Sequence, residues 1–338
     1  MLPAIFGIAG TVLGAEERAF FRDADPAGYI LFARNIENRA QLRGLTDSLR
    51  DIHGRDRLFI CIDQEGGRVA RMQPPEWLAF PPGEVFDNLY KLAPASAIEA
   101  ARVNAQALGL DLAEVGITVD CHPVVDLRYP GAHDIIGDRA LGSDPKQVAA
   151  LGRAVLDGLS RAGVAGCIKH MPGHGRALAD SHKDLPVVDA DERALAHDIE
   201  PFHALAQAPV GMTAHVLYSA WDKQNPATLS PFVIGDVIRK RIGFDGLLLS
   251  DDLDMEALSG SVPQRAARAI GAGCDIALNC WAKMDDMTAM ADLLPPLSLD
   301  AARRLESALD MAGRKMPAAQ SDLIAKRDAL LDLVSARA

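Results

Sequence analysis

Val164-Ala165-Gly166-Cys167-Ile168-Lys169-His170-Met171-Pro172-Gly173-His174-Gly175-Arg176-Ala177-Leu178-Ala179-Asp180-Ser181-His182-Lys183-Asp184-Leu185-Pro186 begins as an apolar run and ends as a loop dense in ionisable groups. Val164 to Ile168 reads as a buried strand. Within about fifteen residues Lys169, His170, His174, Asp180 and His182 follow, with glycines and prolines between them, Pro172 and Gly173 keeping His170 and His174 off one helix face. A packed core has no use for such a density of charge. A rigid strand that aims side chains into a loop able to close is how active sites of α/β proteins are built.

The strand half of that pattern recurs. Short apolar runs bounded by turn residues stand at Ile5 to Ile8, Tyr29 to Phe32, Leu58 to Ile62, Ile117 to Val119, Val210 to Thr213, Leu247 to Leu249 and Cys274 to Leu278, which with Val164 to Ile168 makes eight. Several are apolar on both faces, as in a parallel sheet covered by helices. Helical patterns alternate with them. Ile98, Ala101, Ala105, Leu108, Leu112 and Val115 form a stripe that Gly116 ends; Asp144-Pro145-Lys146-Gln147 supplies a cap for a helix closed by Gly163; Ser230-Pro231 opens another that runs to Gly243.

Eight βα units predict an α/β chain folded as one (β/α)₈ TIM-type barrel domain over residues 1–338, with residues 300–338 as helices packed on the barrel. The excursions from Arg71 to Pro94 and from Val125 to Pro145 are loops or short helices inserted after the third and fourth strands. A doubly wound sheet is the alternative. Polar residues at many strand ends favour the barrel: Asp63, Asp120 with His122, Lys169 with His170, His215, Asp251 and Asn279.

The 49% apolar and 24% charged composition is that of a soluble globular protein. Net charge is −11 with no basic run, which argues against a nucleic-acid partner. No uncharged stretch approaches the roughly 18 to 20 residues of a membrane span, and the apolar N-terminus lacks the basic flank of a signal peptide. The cysteines, Cys61, Cys121, Cys167, Cys274 and Cys280, are odd in number and most lie in or beside apolar runs; they read as free thiols in a reducing compartment, hence the cytoplasm.

Gly246 to Met255 delivers Asp251 to a strand end, where it can be a nucleophile, a general base or a metal ligand. Asp252 and Asp254 crowd it, so at least one of these acids is pushed upward in pKa, and one of Asp251 and Asp252 is expected to cap a helix starting near Leu253. Asp180-Ser181-His182 offers an acid–imidazole pair suited to proton shuttling, or a helix cap beside an exposed histidine. Ser181 has no Gly-x-Ser-x-Gly elbow around it, which discounts a serine triad. His170 and His174 can join a zinc site only off a helix; ligand or neighbour hydrogen bonding suits His170 better. Asp63-Gln64-Glu65-Gly66-Gly67-Arg68 and Gly137-Asp138-Arg139 suit a hydroxyl-rich ligand, or surface ion pairs in the case of Glu65 and Arg68.

Taken in order, Asp63-Gln64-Glu65-Gly66-Gly67-Arg68, Lys169-His170-Met171-Pro172-Gly173-His174-Gly175, Asp180-Ser181-His182 and Ser250-Asp251-Asp252-Leu253-Asp254-Met255 resemble the bacterial β-N-acetylhexosaminidases of glycoside hydrolase family 3. The resemblance spans nearly the whole chain and the length is that of the single-domain Gram-negative form. It implies Asp251 as the nucleophile of a retaining exo-β-N-acetylglucosaminidase, His182 as acid/base with Asp180 its partner, and Asp63, Arg71, Arg139, Lys169 and His170 as sugar-holding residues. It further implies cytoplasmic removal of N-acetylglucosamine from anhydro-muramic acid peptides in peptidoglycan recycling, without cofactor or metal, by a monomer or weak dimer. Met171, where Phe is common, and Arg176-Ala177-Leu178-Ala179 depart from the pattern, in ways that bear on loop closure and aglycone preference. A phosphorylase of the same family, a metal-dependent barrel hydrolase and a non-catalytic sugar-binding module are the rivals.

Overall fold

Each apolar run becomes a strand because its side chains find apolar neighbours on both sides. In the computed structural model, which describes residues 1–181, 184–312 and 315–335, the strands are β1 Leu2–Gly7, β2 Pro26–Leu31, β3 Phe59–Ile62, β4 Val119–Asp120, β5 Ala165–Met171, β6 Val210–Thr213, β7 Leu247–Asp252 and β8 Ile276–Asn279. They close into a parallel barrel in the order β1-β8-β7-β6-β5-β4-β3-β2. Inward residues such as Ile5, Ile30, Val119, Cys167, Val210, Leu247 and Ile276 fill the barrel. Outward residues such as Phe6, Leu31, Ile60, Ile168 and Leu248 meet the helices. Two separate apolar layers on one set of strands account for the continuous hydrophobic runs.

The surrounding helices begin and end where the chain can satisfy their terminal groups. α1 Ala15–Ala24 and α2 Arg39–His53 follow β1 and β2; α3 Gly83–Leu92 and α4 Pro94–Glu114 follow β3. α5 Pro145–Ala162 is capped by the Asp144 side chain, which accepts the Gln147 N–H at 2.9 Å, and closes on left-handed Gly163. α6 Glu192–Ala204 precedes β6, and α7 Val262–Ala272 and α8 Met284–Leu293 flank β8. The helix expected from Ser230 is a π-helix, Val233–Arg241, with Ser230 Oγ accepting the Val233 N–H.

The C-terminal segment forms α9 Leu299–Ala312 and α10 Gln320–Ser335. Leu305, Ala308 and Leu309 of α9 join the barrel's interior cluster, so this helix stoppers one mouth. The opposite mouth, at the strands' C-terminal ends, is left for ligands. α10 packs against α4.

Three local expectations change. β4 starts at Val119, later than the run from Ile117 suggests; β5 and β7 extend further, to Met171 and Asp252, so Lys169, His170 and Asp251 lie within strands. No helix starts near Leu253: the chain turns, and Asp252 Oδ1 accepts the Asp254 N–H at 3.0 Å. The Asp180 carbonyl accepts the Asp184 N–H at 3.0 Å, residues 182 and 183, through which a helix capped by Asp180 would run, lie outside the described residues, and α6 is capped by Asp191.

Candidate active site

A cavity of about 260 Å³ opens at the C-terminal mouth of the barrel, lined by Asp63, Arg71, Arg139, Lys169, His170, Ser181 and Asp251 among others. Strands from opposite sides of the barrel thus bring together six residues expected from sequence to form the site. Asp180 is among the described residues and takes part in an interaction within its turn region. His182 lies outside the described residues. A larger groove of about 550 Å³, between α5 and α6, carries none of the strand-end residues.

Charge on one wall of the cavity is arranged as a chain. Lys169 Nζ lies 2.8 Å from Asp63 Oδ1 and 2.7 Å from Glu65 Oε1. Arg139 binds Glu65 through two nitrogens, at 2.7 and 2.8 Å, and Arg71 reaches Asp63 at 3.3 Å. Burial alone would push both carboxyls up and Lys169 down, but the pairing wins. Lys169 and Arg71 hold Asp63 below the usual carboxylate range, Arg139 and Lys169 hold Glu65 well below it, and the two acids hold the Lys169 ammonium above its ordinary value.

Glu65 therefore corrects the surface reading: it is 5% exposed and at the centre of this network. Arg68 does match that reading, since it pairs at the surface with Asp138 and the carbonyls of Asp134 and Ile135. Gly66 and Gly67 have positive φ, and a Cβ on either would strike Pro81 or Pro82, so only glycine lets that segment close over the acid loop.

The network gives a pH prediction. Glu65 has a folded pKa below its unfolded one, so its stabilisation is fully present above the unfolded carboxylate value near ~4 and is lost as pH falls through the folded value. Glu65→Gln should unfold at lower urea than the parent at pH 7, and the gap should close as the pH is taken below the unfolded value. A gap that stays constant down to acid pH would contradict the ion-pair role.

The second wall is built on Asp126, which sequence reading passed over inside the excursion after β4. Asp126 is fully buried, accepts His170 Nδ1 at 2.7 Å and takes the backbone N–H of His174 at 2.6 Å. Burial pushes its carboxyl up, and His170 beside it holds it below the ordinary value nonetheless. The bond fixes the His170 ring against the cavity. The only sequence signal for Asp126 was an acid embedded in the apolar run Pro123-Val124-Val125-Asp126-Leu127.

His174 is buried, with a pKa lowered to about 4 by burial and neighbouring His170. Its Nε2 meets Ser181 Oγ at 3.3 Å, but its Nδ1 has no partner among the described residues, so no acid completes a serine triad. Gly175 lies so close to Leu127 that a Cβ would reach 1.9 Å from its carbonyl oxygen. Arg176 pairs with Asp198 at 2.6 Å and stacks 4.1 Å from the Tyr129 ring centroid. The first half of the loop is thereby fastened to the body. Its far end is fastened by a short parallel pairing of Val187–Val188 with Leu217–Tyr218.

Asp251 stands apart from these pairs. Its Oδ1 accepts the Asp252 N–H at 2.8 Å, and among the described residues no cation lies within ion-pair distance. Burial raises its pKa, but His215, His170, the Asp252 N–H and Lys169 outweigh that and hold it below the ordinary value. Asp252 goes the other way, pushed up by burial and by Asp254. Asp120, by contrast, is fully buried and accepts the Gln64 N–H at 3.0 Å, a structural service outside the cavity.

Residues 10–310 match the glycosyl hydrolase family 3 N-terminal domain. The chain belongs to glycosyl hydrolase family 3. It is a glycoside hydrolase, 38% identical over 313 residues to a β-hexosaminidase of Bordetella avium, covering 90% of this chain and 87% of that one. A β-hexosaminidase of Chromobacterium violaceum is 39% identical over 334 residues, 96% of this chain and 91% of the relative. The crystal structure of NagZ from Neisseria gonorrhoeae in complex with N-trifluoroacetyl-D-glucosamine superposes with a TM-score of 0.85 at 31% identity, covering 99% of this chain and 97% of that one. The glycoside hydrolase therefore shares barrel and C-terminal helices with that structure along nearly its whole length.

Proposed function

We propose that the protein is a retaining exo-β-N-acetylglucosaminidase that works by double displacement. The observation that carries this reading is the state of Asp251: in a cavity whose other carboxylates are tied to cations or pushed upward in pKa, it is the acid held ionised and free of an ion pair among the described residues. A carboxylate in that state has lone pairs available for attack on the anomeric carbon.

In the first step an Asp251 oxygen bonds to the anomeric carbon while the bond from that carbon to the leaving oxygen breaks, and His182 gives the leaving oxygen its proton. In the second, water attacks the anomeric carbon, His182 takes the water proton, and the bond to Asp251 breaks. Asp180 orients His182, so an acid–imidazole pair stands where most retaining glycosidases have a second carboxylate. Asp63, Arg71, Arg139, Lys169 and His170 hold the sugar, and their pairing with one another, with Glu65 and with Asp126 supports this by fixing each before ligand arrives. The N-trifluoroacetyl-D-glucosamine bound by the Neisseria protein supports an N-acylated glucosamine in the cavity. Muropeptides bearing N-acetylglucosamine on anhydro-muramic acid are the proposed substrates and peptidoglycan recycling the proposed context. Five buried free thiols support a cytoplasmic setting.

Proton NMR of the reaction as it proceeds tests the stereochemical course. The β-anomer of N-acetylglucosamine should appear first and mutarotate afterwards, unaffected by added phosphate or by a chelator. First appearance of the α-anomer would overturn double displacement, and accumulation of sugar 1-phosphate would assign a phosphorylase instead.

A further inference from the structure

The register of β7 slips at the residue that matters most. Between β8 partners Ile276 and Leu278 there are two steps, but between their β7 partners Leu249 and Asp252 there are three, so Ser250 and Asp251 form a β-bulge. Bulges re-aim a side chain and leave backbone groups without ladder partners. On the other side the pairing of β6 with β7 stops at Met212 and Leu249, one step short of the bulge. Each backbone group left over has to be satisfied by something else.

Side chains do that here. Ser250 Oγ accepts the Leu278 N–H at 2.9 Å on the β8 side. On the β6 side the Asp251 N–H donates to Thr213 Oγ1 at 3.3 Å, Thr213 Oγ1 lies 2.7 Å from Thr228 Oγ1, and Thr228 Oγ1 lies 2.8 Å from His215 Nδ1. His215 Nε2 lies 2.8 Å from the Asp252 carbonyl. A carbonyl only accepts, so Nε2 carries the ring proton. In the neutral ring Nδ1 then accepts from Thr228, whose oxygen accepts from Thr213, whose oxygen accepts from Asp251. Thr228 Oγ1 also lies 3.0 Å from the Ala214 carbonyl, an alternative acceptor for its proton. Thr213, His215, Thr228 and Ser250 are all fully buried, so water does not compete for these groups.

We infer that Thr213, Thr228 and His215 are positioning residues that grip the bulge from the Asp251 N–H at one end to the Asp252 carbonyl at the other, fixing the direction of the Asp251 carboxylate toward the anomeric carbon. This deepens the reading of Asp251 as nucleophile and rests on it. The circuit touches no sugar-holding residue, so it governs the rate of attack and leaves ground-state sugar binding alone. Misplacing a reacting atom by about an ångström costs on the order of 100-fold in rate, which sets the scale of the effect.

The test uses a fluorinated N-acetylglucosaminyl donor that forms a slowly hydrolysed adduct, with its rate of formation followed by intact-protein mass and its location by peptide mass. Thr213→Val, close to isosteric, should slow adduct formation on the order of 10- to 100-fold while the inhibition constant of N-acetylglucosamine stays within about threefold. Thr213→Ser should regain most of the rate, and Thr228→Val should repeat the loss if Thr213→Val fails to fold. Adduct on Asp251 formed at an undiminished rate in both valine variants overturns the clamp alone. A parallel rise in the inhibition constant also overturns it, because a collapsed cavity then explains the loss. Adduct on a different residue of the parent enzyme overturns the nucleophile assignment, and the clamp with it.

Discussion

Asp251→Ala should lower kcat/KM for a nitrophenyl N-acetylglucosaminide on the order of 10⁴-fold or more, because no other group can form the covalent intermediate. The other acids of the cavity are poor substitutes: Asp63 and Glu65 are held by Lys169, Arg71 and Arg139, and Asp252 is pushed toward its protonated form. The variant should fold, but somewhat less stably than the parent at pH 7, since the surroundings hold the Asp251 carboxyl below its ordinary pKa and alanine leaves the Asp252 N–H without its acceptor. Azide is small enough to enter the space left by the carboxylate, and its addition should restore turnover with the α-glycosyl azide as product. In that product the anomeric carbon has gained azide as the leaving alcohol departs, in one inverting step. Near-normal hydrolysis by Asp251→Ala without azide would exclude Asp251 as the nucleophile.

Lys169→Met should fail both in stability and in catalysis. Lys169 is 2% exposed and bridges Asp63 and Glu65 at 2.8 and 2.7 Å. Methionine fills much of the same volume but leaves the buried Glu65 and the partly buried Asp63 carboxylates with only Arg139 and Arg71 to compensate them. Breaking a buried pair in this way costs about 3–5 kcal/mol. Equilibrium urea unfolding at pH 7 measures that loss. In the fraction that folds, kcat/KM should fall roughly 100-fold, because Asp63 and Glu65 lose the partner that aligns them, and Arg71 and Arg139 are held through those two acids. Unchanged unfolding would mean that the Lys169 charge is not needed to hold the wall together.

The strands and the site were legible for different reasons. The eight strands are buried on both faces, so each announced itself as a continuous apolar run, and polar groups at their ends marked the mouth of the barrel. Asp251 and Lys169 were legible because a charge at the end of such a run has no packing explanation. The strand ends were less legible: β5 and β7 continue through charged residues because those side chains are satisfied by partners far away in sequence, as Lys169 is by Asp63 and Glu65. Glu65 looked like a surface charge for the same reason, its partners lying 74 and 104 residues away at Arg139 and Lys169. Asp126 escaped notice because its role is to hold backbone and ring nitrogens of residues more than 40 positions later. The helix expected after Asp252 does not form because the Asp252 carboxylate closes a turn with Asp254, whose own carboxylate accepts from Asn279, Cys280 and Trp281. The slip in register that creates the bulge at Asp251 has no sequence signature, since it arises from the pairing of β7 with β8.

Covalent trapping tests the central claim most directly. After incubation with a fluorinated N-acetylglucosaminyl donor, the intact protein should gain the mass of one sugar residue, and proteolysis should place that mass on the peptide containing Ser250-Asp251-Asp252, on Asp251 itself. A sugar adduct on any other residue, or complete turnover of the donor through a non-covalent route, would contradict it.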